Sequence, residues 1–135
     1  MFKKKFIVIS SIVLILFSLL LTIFVFNRTD LDFAKQGKAI FKYSNTDISQ
    51  QLSDEDFKKI ITIFDNKFLY KDEPSCGFDE NVSIVFNDSQ TFCIACDKCP
   101  VIYWKEKNKY FRISEDKMNQ LYSILKNYGF VFPCV

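Results

Sequence analysis

Residues Phe6–Phe26 form 21 consecutive positions without a charged side chain, built from Ile, Leu, Val and Phe and interrupted only by Ser10, Ser11, Ser18 and Thr22. As a helix rising ~1.5 Å per residue, this run reaches ~30 Å, the thickness of a bilayer's hydrocarbon core. It has no polar stripe, so it does not read as the amphipathic helix of a soluble core. A cleaved signal peptide carries a shorter apolar region, about 7–15 residues, followed by small residues at the cut. Here the run closes on Ile23-Phe24-Val25-Phe26-Asn27-Arg28, with nothing small to cut at, and no cysteine follows closely enough for lipid attachment. The sequence therefore predicts an uncleaved single-pass membrane anchor over residues 6–26. Lys3, Lys4 and Lys5 precede it, whereas Arg28 is offset by Asp30 and Asp32 just after it. By the positive-inside bias, residues 1–5 are cytoplasmic and residues 27–135 lie outside.

Charge excludes one class of partner. Of 18 basic residues three are Lys3–Lys5, which leaves 15 against 16 acidic ones in the remainder. A near-neutral domain with interspersed signs lacks the clustered Lys and Arg that nucleic acid requires, so no nucleic-acid partner is expected. The chain also has no histidine. That removes the commonest general base and metal ligand, and every Ser-His or Cys-His nucleophile pair. No phosphate-binding glycine loop, nucleophile elbow or paired carboxylates appear, so neither an enzyme nor a cofactor is expected.

The exported part divides into a tether over 27–51 and a domain over 52–135. The tether is polar, with Gly37 and the run Ser44-Asn45-Thr46-Asp47, and holds one short edge strand at Lys38–Tyr43 flanked by lysines. Ser53, followed by Asp54, Glu55 and Asp56, is an N-cap with an acidic first turn. Phe57, Ile60, Ile61 and Phe64 then repeat at helical spacing, and the helix should reach about Asn66. A loop with Pro74 and Gly77 follows. Val82–Phe86 and Thr91–Cys96 alternate as strands around the turn residues Asn87–Gln90, and Val101–Trp104 and Tyr110–Ile113 make a hairpin. Ser114 caps a second helix carrying Met118, Leu121, Tyr122, Leu125 and Tyr128 on its apolar face. Gly129 ends it, and Phe130–Phe132 returns as a short strand that brings Cys134 back. The expected class is α+β: a transmembrane helix, then a small domain with an antiparallel meander of about four strands flanked by two helices.

Chemistry concentrates in Phe92–Pro100, which packs Cys93, Cys96 and Cys99 into seven residues, with Cys76 upstream and Cys134 near the carboxyl end. Outside the cytoplasm such thiols form structural disulfides, each worth ~2–4 kcal/mol in a small domain. Five cysteines allow at most two intrachain bridges, with Cys76 and Cys134 each pairing with one of the triplet; spacing does not fix which. A metal site would use Cys93, Cys96 and Cys99, but the ferredoxin-like spacing fails at Tyr103, where a fourth cysteine is required. A redox site would use Cys96-Asp97-Lys98-Cys99, but that motif leads into Pro100 and a strand instead of a helix. Asp72-Glu73 and Asp79-Glu80 lack calcium-loop spacing and read as solvated loop charges. Tyr103, Trp104 and Tyr110 offer an aromatic binding surface on the hairpin. The function read from these residues is a membrane-anchored extracytoplasmic binding module, stiffened by cysteine bridges, for a protein or small-molecule partner. The alternative is a membrane-tethered thiol–disulfide or metal-handling protein using Cys93, Cys96 and Cys99.

Overall fold

The computed structural model describes residues 2–132, with side chains from Ile7 onward. Its elements are α1 (Phe2–Phe26), β1 (Gly37–Tyr43), β2 (Thr46–Gln51), α2 (Asp54–Phe64), β3 (Val82–Phe86), β4 (Gln90–Ile94), β5 (Val101–Trp104), β6 (Lys109–Arg112) and α3 (Glu115–Asn127). The strands form one antiparallel sheet in the order β2-β1-β3-β4-β5-β6. The class is α+β, as the sequence implies, but the sheet has six strands where about four were expected. The two strands beyond that meander lie in the segment read as a tether: β1 matches the strand expected at Lys38–Tyr43 but pairs on both sides, with β2 and β3, so it is not the edge strand expected, and β2 takes the edge instead. β2 carries little sequence signal, because Thr46-Asp47-Ile48-Ser49-Gln50-Gln51 has almost no apolar alternation: as an edge strand it turns only Ile48 toward the core.

Local chemistry explains the regular elements. The Ser53 hydroxyl accepts the Asp56 amide and starts α2; the Ser114 hydroxyl accepts the Lys117 amide and starts α3. α3 ends at Gly129, whose φ of 90° lets its amide reach the Lys126 carbonyl while the Phe130 amide bonds the Leu125 carbonyl. A side chain at Gly129 would also strike Ile48 at 2.8 Å, so this helix end is fitted against β2. Phe130 and Phe132 are buried but not in a strand, and Cys134 lies outside the described residues.

Alternation divides the sheet into two faces. Ala39, Phe41, Ile84, Phe86, Phe92, Ile94, Ile102, Trp104 and Phe111 point toward α2 and α3 and make the core with Ile60, Ile63, Phe64, Leu121 and Leu125. The two helices are joined by one hydroxyl: that of Tyr128 accepts the Ser53 amide at 2.9 Å and donates to Asp56 at 2.8 Å.

α1 stands apart from this core. Over Ile7–Phe26 it is long and apolar enough to cross a membrane, and none of that window is buried against the domain. Its exit is not loose. The Thr29 amide donates to the Lys67 carbonyl, the Asn66 amide to the Thr29 carbonyl, and the Leu69 amide to the Asn27 carbonyl, while Arg28 and Phe68 form an antiparallel bridge. Side chains lock this joint. The Asn27 amide donates to the Leu69 carbonyl (2.7 Å), the buried Thr29 hydroxyl donates to the Phe64 carbonyl (2.7 Å), and Lys109 Nζ donates to Asn27 Oδ1 (2.9 Å).

Candidate functional site

The face of the sheet turned away from the helices carries the cysteine chemistry. On β4, Phe92 and Ile94 face the core, so Cys93 between them faces the other way, opposite Tyr103 of β5. Beyond Ile94 the chain turns tightly. Asp97 Oδ1 accepts the Cys99 amide at 3.2 Å and Lys98 takes a left-handed φ of 60°. Cys99 is thereby aimed at the loop over residues 71–81 and forms a disulfide with Cys76, across a Cα–Cα distance of 6.2 Å.

This bridge pins the loop across the sheet. The Phe78 ring rests on Tyr103 (5.9 Å between centroids) and Tyr110 (5.6 Å), which stack on each other at 4.8 Å. Tyr70 extends the cluster onto Tyr110 at 6.0 Å and pairs with it through the backbone. Further along, the Ser83 hydroxyl, fully buried, donates to the Glu80 carbonyl at 2.7 Å, and Glu80 is ion-paired with Lys105 at 2.7 Å. Burial pushes the Tyr110 hydroxyl upward, with Glu73 adding to it; burial does the same to Tyr70, opposed by Arg112.

Cys93 lies beneath this cover, 1 % exposed. Loss of solvent, reinforced by Glu80 and Glu106 and only partly opposed by Lys105, pushes its thiol up to about 12. A thiol held this way is protonated at neutral pH and has neither the charge nor the access that nucleophilic or metal-binding cysteines need. Cys96 sits at the edge of the core cluster. Cys93, Cys96 and Cys99, the set that a metal site would use, are thus not brought together. Among the described residues, the three potential ligands within 4.8 Å of one another are Cys76, Asp97 and Cys99, and their two sulfurs are already bonded together.

The expected aromatic surface is also divided. Tyr103 and Tyr110 share the clamped face under Phe78, with Tyr110 buried, whereas Trp104 points to the opposite face and is 1 % exposed. The Trp104 indole donates to Gln90 Oε1 at 2.9 Å and carries Lys107 Nζ 4.0 Å above its ring. It borders a shallow depression of about 440 Å³ lined with Asp30, Asp32, Phe33 and Lys107. The split follows from period-two alternation: Tyr103 and Trp104 are adjacent in sequence and so cannot share a face.

Sequence reasoning missed the joint between 27–29 and 66–69. Its polar residues carry no periodicity, and the pairing joins segments about forty positions apart, so no local signal marks it. Comparison with protein-family models, curated proteins and solved structures finds no match.

Proposed function

We propose that this chain is a single-pass membrane protein that holds a small disulfide-clamped interaction domain outside the cytoplasm, with residues 1–5 on the cytoplasmic side. The observation that carries the reading is the contrast within one chain: an uncharged, predominantly apolar helical span with none of its Ile7–Phe26 window buried, beside a domain that seals its own core. A helix of that composition has a lipid bilayer as its natural environment. The Cys76–Cys99 bridge favours an oxidising compartment, and the lysines before the span favour this orientation. The domain acts by binding a protein or small molecule, without catalysis.

A thiol–disulfide or metal-handling role for Cys93, Cys96 and Cys99 draws less support. Cys99 is engaged by Cys76, and Cys93 is buried with its thiol held neutral. Protease protection tests the proposal. With the full chain expressed in cells and tagged at its carboxyl end, protease added from outside should remove the tag, and acid-trapped protein should retain the Cys76–Cys99 bridge. A tag protected until the membrane is permeabilised, or thiols trapped fully reduced, would overturn the reading.

A further inference from the structure

We infer that the domain has a second membrane contact, made by Phe68, so that its base rests in the bilayer interface and does not swing above it. This rests on the reading of α1 as the membrane span. The geometry is specific. Backbone pairing sets Phe68 level with Arg28, just beyond the end of α1. Its ring nonetheless meets Phe24, at 6.0 Å between centroids. Four residues separate Phe24 from Arg28, about one helical turn, so the Phe68 side chain points back along α1 toward the span. Phe24 is two residues inside the last apolar position, about 3 Å below it along the axis. A ring in contact with Phe24 from outside the helix, and itself 48 % exposed, has lipid as its neighbour at that depth.

The surrounding groups suit an interface. The Arg28 guanidinium lies over the Phe24 ring at 4.7 Å while donating to the Asn66 carbonyl (3.2 Å) and Asn66 Oδ1 (3.1 Å). An apolar ring below and a paired cation above is the gradient found where acyl chains give way to headgroups. The short connection leaves no alternative height for Phe68. Asn27 and Thr29 are bonded to Leu69, Phe64 and Lys67, so the domain's base cannot lift without breaking that joint.

The test places a tryptophan at Phe68 in the full chain, reconstituted in phosphatidylcholine vesicles with or without bromine atoms on the upper part of the acyl chains. The unmodified protein, with Trp104 buried, supplies the background, and Phe24→Trp reports on the span. Both Phe68→Trp and Phe24→Trp should lose at least half of their added emission in brominated lipid. Quenching of Phe24→Trp without quenching of Phe68→Trp would overturn the second contact and leave the anchor standing. If neither is quenched, α1 is not in the bilayer and both readings fall.

Discussion

On the helix side of the sheet, Phe64 meets Phe86, Phe92 and Phe111 at centroid distances of 5.5–6.3 Å, and every partner belongs to a regular element. On the other side Phe78 lies on Tyr103 and Tyr110 from a loop without regular structure, and one disulfide fixes that loop in place. The first side is held by area: many apolar contacts, each small, at the ends of helices and strands whose spacing brings them together. The second gathers Phe78 with Tyr70, Tyr103 and Tyr110 and, among the described residues, no packed helix. It relies on a covalent link, which stabilises largely by limiting how far the unfolded chain can spread. A small domain thus uses packing where it can place helices and a cross-link where it has only a loop.

Truncation should separate the two sides most clearly. Phe92→Ala removes a ring in contact with Phe64, Phe86, Phe111 and Trp104, and is expected to cost about 3–5 kcal/mol in chemical denaturation of the full chain in detergent. Phe78→Ala should cost distinctly less; equal losses would mean that the loop side is packed as tightly as the core. Replacing Cys76 and Cys99 together by Ser should cost about 2–4 kcal/mol. Limited proteolysis of that variant should cut first within 71–81, with the strands and helices intact. Cleavage elsewhere first would show that the bridge supports the whole domain and not its loop alone.

The smallest effect is a pH dependence. The Cys93 thiol titrates near 12 in the folded domain against an ordinary value of 9.0, so the native state keeps a proton that the unfolded chain has lost. Stability from this group is fully present below pH 9 and declines as pH rises toward 12, by about 1 kcal/mol at pH 10. Tyr70 and Tyr110 are displaced in the same direction, so the contribution is read as the difference between the unmodified protein and Cys93→Ala in melts at pH 8 and pH 10. Parallel pH profiles would show that the cover over Cys93 admits water.

What the sequence discloses follows the same division. The helix side is legible because Ser53 and Ser114 announce helix starts and Phe57, Ile60, Ile61 and Phe64 repeat at helical spacing; α2 and α3 begin where those caps place them. β3 and β5 match the runs expected from apolar alternation. β2 was illegible because an exposed edge strand has little reason to alternate. For the candidate site, the cysteines stood out but their pairing did not, since spacing along the chain does not reveal that the loop from Lys71 doubles back over β5 and β6. The division of Tyr103 from Trp104 was available from alternation alone.

The locked joint at Asn27–Thr29 has a consequence for encounter with any partner. A domain on a flexible linker explores a hemisphere around its anchor and loses that freedom when it binds. Here the segment after α1 is already hydrogen-bonded to 64–69, so that loss was incurred when the chain folded. A partner fixed relative to α1 meets the domain in one orientation and at one height. With α1 in a bilayer as proposed, a partner beyond that layer would be out of reach, and one within it would face an undiluted local concentration.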